Sequence, residues 1–480
     1  SGFEVTAIDE PEVARIKGDS RMAVVTKNAV AGLSRPLVQP ETLKLDETSP
    51  LRLDGFRLTI TPADSRAMVS LVSKLPGPHN ENRPEMEDLV VDHLMRQWVR
   101  EWQARTGDDT GSYPRAAFKR ELLSGSDFGR VVDLMWPVMT PGRLVSGLLS
   151  GESALSASQE VLSDRERELL RREEHRGWTV HDAPLLDEAA VLLGTVPGAR
   201  SRRKPERESD EWAAEEMVED LASAASFRGS PDAPGMMDPL MRREVAQRMV
   251  DRMRDEEWEP PDRERETFGH VLVDEAQDLS PMQWRMIQRR CPSRSMTLLG
   301  DLAQAGGPLQ PQTWHEVAGW AGSGPASEVE LTINYRTPAQ IMAVAERVLS
   351  ATQPGVRPPR AVRETGFEPV FLAAQDAAEE AVRVAREEQS EVGDGTVAVI
   401  APVGMARNIA SAIGPSETIS VLTADEAKGL EFDSVVVVEP ARIAVTSSGG
   451  LRSLYVALTR PTQRLTVVHA EPLPPTLAAS

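Results

Sequence analysis

The chain has 480 residues, 40% hydrophobic and 27% charged, a soluble composition with room for roughly three domains of ~150 residues each. No apolar run approaches the ~20 residues of a membrane span, and the single cysteine, Cys291, excludes a disulfide framework and a zinc ribbon. The 74 acidic residues outnumber the 54 basic ones, and the net charge of −20 disfavours nucleic acid as a partner and favours a basic protein.

The amino terminus reads Ser-Gly-Phe-Glu and shows neither the basic nor the apolar stretch of a signal peptide. We therefore expect a cytoplasmic protein with no membrane partner. Because the first residue is not methionine, we also expect a piece of a longer protein. We expect a monomer.

The first elements are mixed. Apolar spacing from Glu10 to Val30 predicts a helix with Pro11 near its start. The stretch from Leu51 to Thr61 alternates between apolar and polar residues, which predicts a half-buried strand or hairpin.

Residues 85–194 have the apolar period of amphipathic helices and few strand signals. Residues at three- and four-residue steps carry this pattern: Leu89, Val90, Leu94, Trp98 and Trp102. We predict a helical module here.

Residues 195–267 are strongly acidic. Between Glu206 and Glu266 there are 19 acidic and 9 basic residues, so this stretch carries half of the net charge. One interpretation is a solvated linker with one or two short helices. The other is an acidic probe that enters a basic or metal-containing cavity of a partner. Its candidate contact residues are Asp210, Glu211, Glu215, Glu216, Glu219 and Asp220.

From His270 onward, short β-branched runs alternate with helical segments, which predicts an α/β fold with a parallel sheet. The predicted strands are Val271–Val273, Met296–Leu299, Val329–Thr332, Val397–Ile400, Ile419–Thr423, Ser434–Val438 and Leu465–His469. The helical segments include Asp376–Gln389 and Met405–Ile413. Ligands of such sheets bind at the carboxyl ends of the strands.

Two carboxylates follow the first of these strands. Asp274 could hold Mg²⁺ through water, and Glu275 could orient or deprotonate an attacking water. Acidic pairs also occur by chance, and we predict that the similar pair Asp187 and Glu188 only starts a helix.

Polar residues also follow the later strands. Gln304 could sense a terminal phosphate, and Arg336 and Arg460 could stabilise charge on a phosphoryl group in transfer. Taken alone, an arginine such as Arg336 is more often a surface ion-pair residue.

Five sequences occur in the order Asp-Glu-Ala-Gln-Asp, Gly-Asp-Leu-Ala-Gln, Asn-Tyr-Arg-Thr-Pro, Ala-Lys-Gly-Leu-Glu-Phe-Asp and Tyr-Val-Ala-Leu-Thr-Arg. They resemble motifs II to VI of superfamily 1 helicases of the UvrD, Rep and PcrA type, over about residues 268–475. A finer resemblance is to HelD-type factors, which bind and recycle bacterial RNA polymerase. It rests on Ser280–Met286, Arg290–Met296 and Trp178–Ala189.

The resemblance implies ATP or GTP and Mg²⁺ as cofactors and assigns roles to individual residues. Asp274 and Glu275 are the Mg²⁺ and water-activating pair, and Gln304 couples the γ-phosphate to the domain interface. Arg336 and Arg460 are arginine fingers. The remaining assignments are Gly429 and Glu431 as phosphate and ribose contacts and Tyr335 as a stacking partner of the base.

The resemblance also implies RecA-like parallel sheets of the P-loop NTPase type, the first one incomplete and carrying an inserted α-helical module. Residues 1–84 and 268–325 would form the first RecA-like domain, and 326–480 the second. Residues 85–194 would be the inserted clamp-opening-like module, and 195–267 an acidic insertion loop.

Two features depart from the family. No Gly-Lys dipeptide followed by Ser or Thr occurs in the 480 residues, so the Walker A loop is missing, as is the glutamine-containing adenine motif. We therefore expect this chain alone to bind ATP weakly or not at all. Asp425 stands where translocating relatives have histidine, which disfavours processive unwinding.

The HelD resemblance thus predicts a portion of an ATP-dependent helicase-like NTPase that binds RNA polymerase core and promotes its release from nucleic acid. Two alternatives stay open at this point. One is a UvrD-type DNA-translocating helicase in repair. The other is a non-catalytic polymerase-binding module.

Overall fold

The structure is a computed structural model, and it describes residues 5–7, 9–43, 58–107, 114–124, 126–150, 157–172, 177–196, 267–306, 309, 311–322, 324, 326–352, 358–446 and 450–478. The chain forms two compact units. The first unit comprises residues 1–29, 145–189 and 268–480, and the second comprises 30–144 and 190–267. The predicted domain boundaries stay predictions.

The described strands are β1 (Val5–Ala7), β2 (Glu41–Leu43), β3 (Leu58–Ile60), β4 (Trp178–Thr179), β5 (Val271–Val273), β6 (Met296–Leu298), β7 (Ile333–Asn334), β8 (Arg360–Ala361), β9 (Val370–Ala373), β10 (Val397–Ile400), β11 (Ile419–Leu422), β12 (Phe432–Val438) and β13 (Pro461–His469). The described helices are α1 (Pro11–Gly18), α2 (Arg21–Ala31), α3 (Pro62–Val72), α4 (Arg83–Thr106), α5 (Arg115–Ser124), α6 (Ser126–Met135), α7 (Pro141–Ser150), α8 (Asp164–Leu170), α9 (Ala183–Leu193), α10 (Pro281–Arg290), α11 (Trp314–Ala321), α12 (Ala339–Thr352), α13 (Ala377–Val392), α14 (Val403–Ile413), α15 (Pro440–Thr446) and α16 (Leu451–Leu458).

The single helix predicted from Glu10 to Val30 is wrong in one respect: α1 and α2 are separate helices. Asp19 has an extended backbone, with φ −67° and ψ 138°, which ends α1. Its carboxylate then accepts a hydrogen bond from the backbone N–H of Arg21 at 2.8 Å, which starts the next helix.

A buried charge cluster fixes α1 within the first unit. The Nζ atom of Lys17, whose side chain is 1% exposed, lies 2.8 Å from carboxylate oxygens of both Asp9 and Asp182. Arg172 lies 2.7 Å from the second oxygen of Asp182, so two cations face two carboxylates. Buried charges are tolerated only in such pairs. Because Asp182 follows β4, which pairs in parallel with β1, the cluster ties α1 to that strand pair.

Helix α10 follows the first acidic motif and packs on both α1 and α9. A Cβ atom at Gly18 would lie 2.6 Å from the Ser280 Cβ, so α1 ends directly against the N-cap of α10. The acids Asp187 and Glu188 do not start a helix as predicted, because α9 already begins at Ala183. Glu188 accepts hydrogen bonds from Arg285 of α10 at 2.6 and 3.1 Å.

Strands β5 and β6 form a two-stranded parallel pair beside α10 and α11. Trp284 is fully buried at its core, together with Val273, Val317 and Ala321. The carboxyl ends of both strands therefore lead into adjacent loops.

The carboxy-terminal part of the first unit contains a five-stranded parallel sheet in the order β11-β10-β12-β13-β9. Alternate residues of β10 feed two different cores: Ala398 and Ile400 pack with α12 and α16, whereas Val397 and Val399 pack with α13 and α14. Residues 435–438 of β12 are fully buried for the same reason. A sheet covered on both faces requires such continuous apolar strands. The predicted α/β class with parallel sheets is confirmed.

The strand predicted at Val329–Thr332 is wrong. The strand near this point is β7, which begins directly after the predicted run and is only two residues long. It pairs with β8 through Ile333 with Arg360 and Asn334 with Ala361. Val329 and Leu331 are 79% and 80% exposed. The described part of the chain leaves these side chains largely uncovered, so forming a strand here would bury little apolar surface. A β-branched composition alone therefore does not produce a strand at this position.

The second unit is mainly helical around a core that includes Met86, Leu94, Trp98 and Phe118. The antiparallel pair of β2 and β3 packs with it, and residues 51–57 of the predicted hairpin lie outside the described residues. Among the residues that the structure describes, no helix is both long and apolar enough to cross a bilayer.

Candidate functional site

The loop after β5, residues 274–278, carries the first acidic motif and is named the motif II loop. Asp274 is exposed, and its Oδ1 atom accepts a hydrogen bond from the backbone N–H of Glu275 at 2.9 Å. Glu275 has φ +50° and ψ 37°, a left-handed conformation that is uncommon for residues other than glycine. Such strain persists only where the surroundings enforce it, and it often marks functional loops.

Gln277 holds this loop in place. It is 1% exposed, and its Nε2 atom donates to the Glu275 Oε2 atom at 2.6 Å. Its Oε1 atom accepts from the backbone N–H of Asp301 at 3.2 Å. A Cβ atom at Gly300 would lie only 1.9 Å from that oxygen, so this approach requires glycine.

Residues 300–304 follow β6 and are named the motif III loop. The Oδ1 atom of Asp301 accepts from the backbone N–H of Ala303 at 2.8 Å and so caps a single 3₁₀ turn. Its Oδ2 atom accepts from the Gln304 Nε2 atom at 2.9 Å. This second bond fixes the Gln304 amide so that its oxygen remains an acceptor for another partner.

That partner is Arg460, which lies between α16 and β13 and is 1% exposed. Its Nη2 atom donates to the Gln304 Oε1 atom at 2.9 Å, and its Nη1 atom donates to the Leu430 carbonyl at 3.1 Å. Its Nε atom donates to the Val456 carbonyl at 3.1 Å. Burial lowers the pKa of Arg460 to about 10, with a further lowering by the charge of Arg336. The guanidinium is therefore still positively charged at neutral pH.

Arg336 lies in the turn after β7. The Asn334 Oδ1 atom accepts from the backbone N–H groups of Arg336 and Thr337 at 2.9 and 3.0 Å and so shapes this turn. The Arg336 guanidinium lies 3.7 Å from Glu431 and is 40% exposed. Tyr335 is 73% exposed.

Lys428 is a site residue to which the sequence assigned no role. Its ammonium group forms an ion pair with Asp278, donates to the Gln304 carbonyl and lies 3.9 Å from the Glu275 Oε2 atom. The next residue, Gly429, has φ +76°, which lets the chain turn sharply beside Glu275. A signal was present, because Lys428 and Asp278 stand inside the recognised motifs.

The structure thus brings together Glu275, Gln304 and Arg460, with Lys428 between the motif II and motif III loops. Arg336 and Glu431 pair with each other. This pair is close enough to Arg460 for the charge of Arg336 to lower the pKa of Arg460. The chemical roles of these residues stay predictions. The six acids from Asp210 to Asp220 lie outside the described residues.

This arrangement supplies carboxylates on one side and cations on the other, which suits a bound metal–phosphate group. Asp274 is exposed, and its carboxylate would be available to a magnesium ion. No group of three or more His, Cys, Asp or Glu residues within the described part of the chain could hold a metal ion by itself. The residues therefore fit the acidic and arginine side of a nucleotide site, and the phosphate-binding loop is missing from the 480 residues.

Two family models match separate parts of the chain. A family model of the UvrD/REP helicase N-terminal domain matches residues 210–305, and one of the viral superfamily 1 RNA helicase core domain matches residues 368–469.

RecBCD enzyme subunit RecB from two strains of Mycobacterium tuberculosis is 29% identical over 351 residues. The alignment covers 68% of this chain and 29% of RecB, so the chain spans less than a third of the length of these relatives. A solved C-terminal domain of a possible DNA helicase from Lactobacillus plantarum covers 30% of this chain and 92% of its own, with 21% identity and a TM-score of 0.24. The two family matches, the RecB similarity and the five ordered motifs together support a superfamily 1 helicase family for this chain.

Proposed function

We propose that the chain is a portion of an ATP-dependent helicase-like NTPase that binds bacterial RNA polymerase and promotes its release from nucleic acid. The observation that carries the NTPase part is the hydrogen bond from Arg460 to Gln304, which joins motif VI to motif III across 156 positions of the chain. A buried arginine held by a phosphate-sensing glutamine can report the state of a nucleotide to the rest of the motor.

Each residue of the site has a defined task in this proposal. Bound Mg²⁺ would neutralise charge on the phosphates, with Asp274 as its protein-side carboxylate. Gln277 holds the Glu275 carboxylate, which then orients a water molecule or accepts its proton. Leu430 and Val456 accept from Arg460 and keep its guanidinium fixed, so little reorganisation is needed when negative charge develops.

The polymerase part of the proposal is supported by charge and by the HelD resemblance. A net charge of −20 repels nucleic acid and attracts the basic channels of a protein that itself binds nucleic acid. We propose that the acids at 210, 211, 215, 216, 219 and 220 make this contact.

The test is binding of the full chain to bacterial RNA polymerase core at near-physiological salt, with a single-stranded oligonucleotide measured in parallel. Replacing the six acids by Asn and Gln should weaken polymerase binding at least tenfold. A matched control neutralises six acids further along the same segment: Asp251, Asp255, Glu256, Glu257, Glu259 and Asp262. An equal loss of affinity in both variants would show that only the overall charge of the segment matters. An unchanged affinity in the first variant would show that these six acids make no contact with the polymerase.

The second candidate is a DNA-translocating helicase, and the similarity to RecB favours it. Tight binding to the oligonucleotide that weakens steeply with salt, without binding to polymerase, would establish this alternative. The exposed Asp425 in motif V argues against it, because an acid there repels a phosphate track.

A further inference from the structure

Two parts of the first unit meet at the site with opposite charge. Residues 274–306 contribute the carboxylates of Glu275 and Asp278, and residues 428–460 contribute Lys428 and Arg460. Every described contact among these four side chains and Gln304 therefore joins one part of the unit to the other.

The two cations are held very differently. Arg460 is 1% exposed and donates to three acceptors besides Gln304, two of which are backbone carbonyls of its own part, those of Leu430 and Val456. Lys428 is 14% exposed, and both of its described acceptors, Asp278 and the Gln304 carbonyl, belong to the opposite part. An ammonium on a flexible stem can leave its acceptors at a lower cost than a buried guanidinium can.

The acceptor is built to remain in place. The Oδ1 atom of Asp278 accepts from the backbone N–H of Gly306 at 3.1 Å, and its Oδ2 atom faces Lys428. One oxygen of this carboxylate is therefore held from within its own part of the unit, independently of Lys428.

We propose that Lys428 and Asp278 form an ionic latch that holds residues 428–460 against the motif II and motif III loops. The latch regulates the site of the proposed function and rests on it in that respect. Its test uses neither nucleotide nor polymerase, so either proposal can fail alone.

The experiment measures a distance distribution in the full chain without nucleotide. Spin labels are attached at two exposed positions, His315→Cys on α11 and Arg407→Cys on α14, in a Cys291→Ser background. Helix α11 packs with the motif II loop, and α14 packs in the same core as β12. Lys428→Met and Asp278→Asn are compared with the parent and with the double variant. Asn at 278 keeps the oxygen that accepts from Gly306 and removes only the charge.

We expect each single variant to raise the open population about fivefold, the size of effect measured for partly exposed ion pairs. The double variant should open no further than either single variant, because the two changes remove the same interaction. Raising the salt concentration should open the parent and leave Lys428→Met unchanged.

Arg383→Met is the control, since it removes a cation whose described partners, Glu380 and Glu387, lie on the same helix, α13. It should leave the distances as in the parent. Additive effects in the double variant, or distances that stay the same in both single variants, would overturn the latch.

Discussion

Lys17 carries a positive charge at a point that water hardly reaches. Replacing it by methionine leaves Asp9 and Asp182 buried with one cation fewer. We expect Lys17→Met to lower the free energy of unfolding by about 3–5 kcal/mol, because removing the cation leaves buried carboxylates without enough compensating charge. Urea unfolding measures this change.

The control for this prediction is Lys27→Met, which alters an exposed lysine on α2. It should change the free energy of unfolding by less than ~0.5 kcal/mol. Equal effects of the two variants would contradict the role given to the buried cluster.

Gly300 is required by a contact and not only by a turn. A methyl group there would overlap the Gln277 Oε1 atom, so Gly300→Ala should break the hydrogen bond that the Asp301 N–H donates to that oxygen. We expect hydrogen exchange of the Asp301 amide to speed up at least tenfold. Gly319→Ala, an exposed glycine of α11 with open space around it, should leave that rate unchanged.

Much of the site could be found from sequence because its residues follow strands. The carboxyl ends of β5 and β6 meet at one edge, so residues that follow them, such as Glu275 and Gln304, must lie close together. Lys428 could not be assigned in this way. A lysine in a loop carries no period, and its acceptors depend on how two distant segments approach each other.

At the scale of elements, α9 and α10 are joined by charge. Asp187 and Glu188 pair with Arg285, Arg289 and Arg290, and Glu188 is only 3% exposed. We expect Glu188→Gln to destabilise the first unit by roughly 1–3 kcal/mol, because two arginines lose a buried acceptor.

The measurement is urea unfolding together with hydrogen exchange of the α10 amides. Glu379→Gln, an exposed acid of α13, is the control. Equal protection of α10 in Glu188→Gln and in the parent would show that apolar packing alone holds the two helices together.

Sequence patterns located the buried elements better than the exposed ones. Val397–Ile400 has the predicted bounds because all four residues are buried and the pattern follows from the two cores they face. The prediction failed at Val329–Thr332 and at the junction of α1 and α2. The position of the strand near residue 330 depends on its pairing with β8, which the sequence pattern does not show. The break between α1 and α2 depends on a local hydrogen bond to the Asp19 side chain.

For the whole molecule, buried carboxylates set the response to acid. Burial raises the pKa of Asp9 and of Asp182, but hydrogen bonds and charge from partners that include Lys17 outweigh it and lower both values. Arg285 and Arg289 lower the pKa of Glu188 in the same way against its burial.

Because these folded-state pKa values lie below the ordinary 3.8 for Asp and 4.5 for Glu, the unfolded chain binds more protons in acid. The stability they contribute is complete above those ordinary values and is lost as the pH falls towards the folded ones. We expect the free energy of unfolding to decline below about pH 5. Urea midpoints from pH 7 to pH 3 measure this.

The difference between the parent and Lys17→Met should shrink over the same pH range. Without the lysine, Asp9 and Asp182 take up protons more readily because burial raises their pKa, and a protonated carboxyl no longer needs a cation beside it. A difference that stays constant down to pH 3 would show that the lysine acts through packing and not through charge.

The only thiol in the sequence, that of Cys291, is fully buried at the carboxyl end of α10, with its sulfur 3.3 Å from the Ser295 carbonyl. A reagent can reach it only when the chain around β5 and α10 opens. The reactivity of this thiol therefore measures local opening of the structure. The rate at which a maleimide modifies Cys291 reports how often the segment after the first acidic motif unfolds locally. The measurement uses the unaltered chain and needs no attached probe.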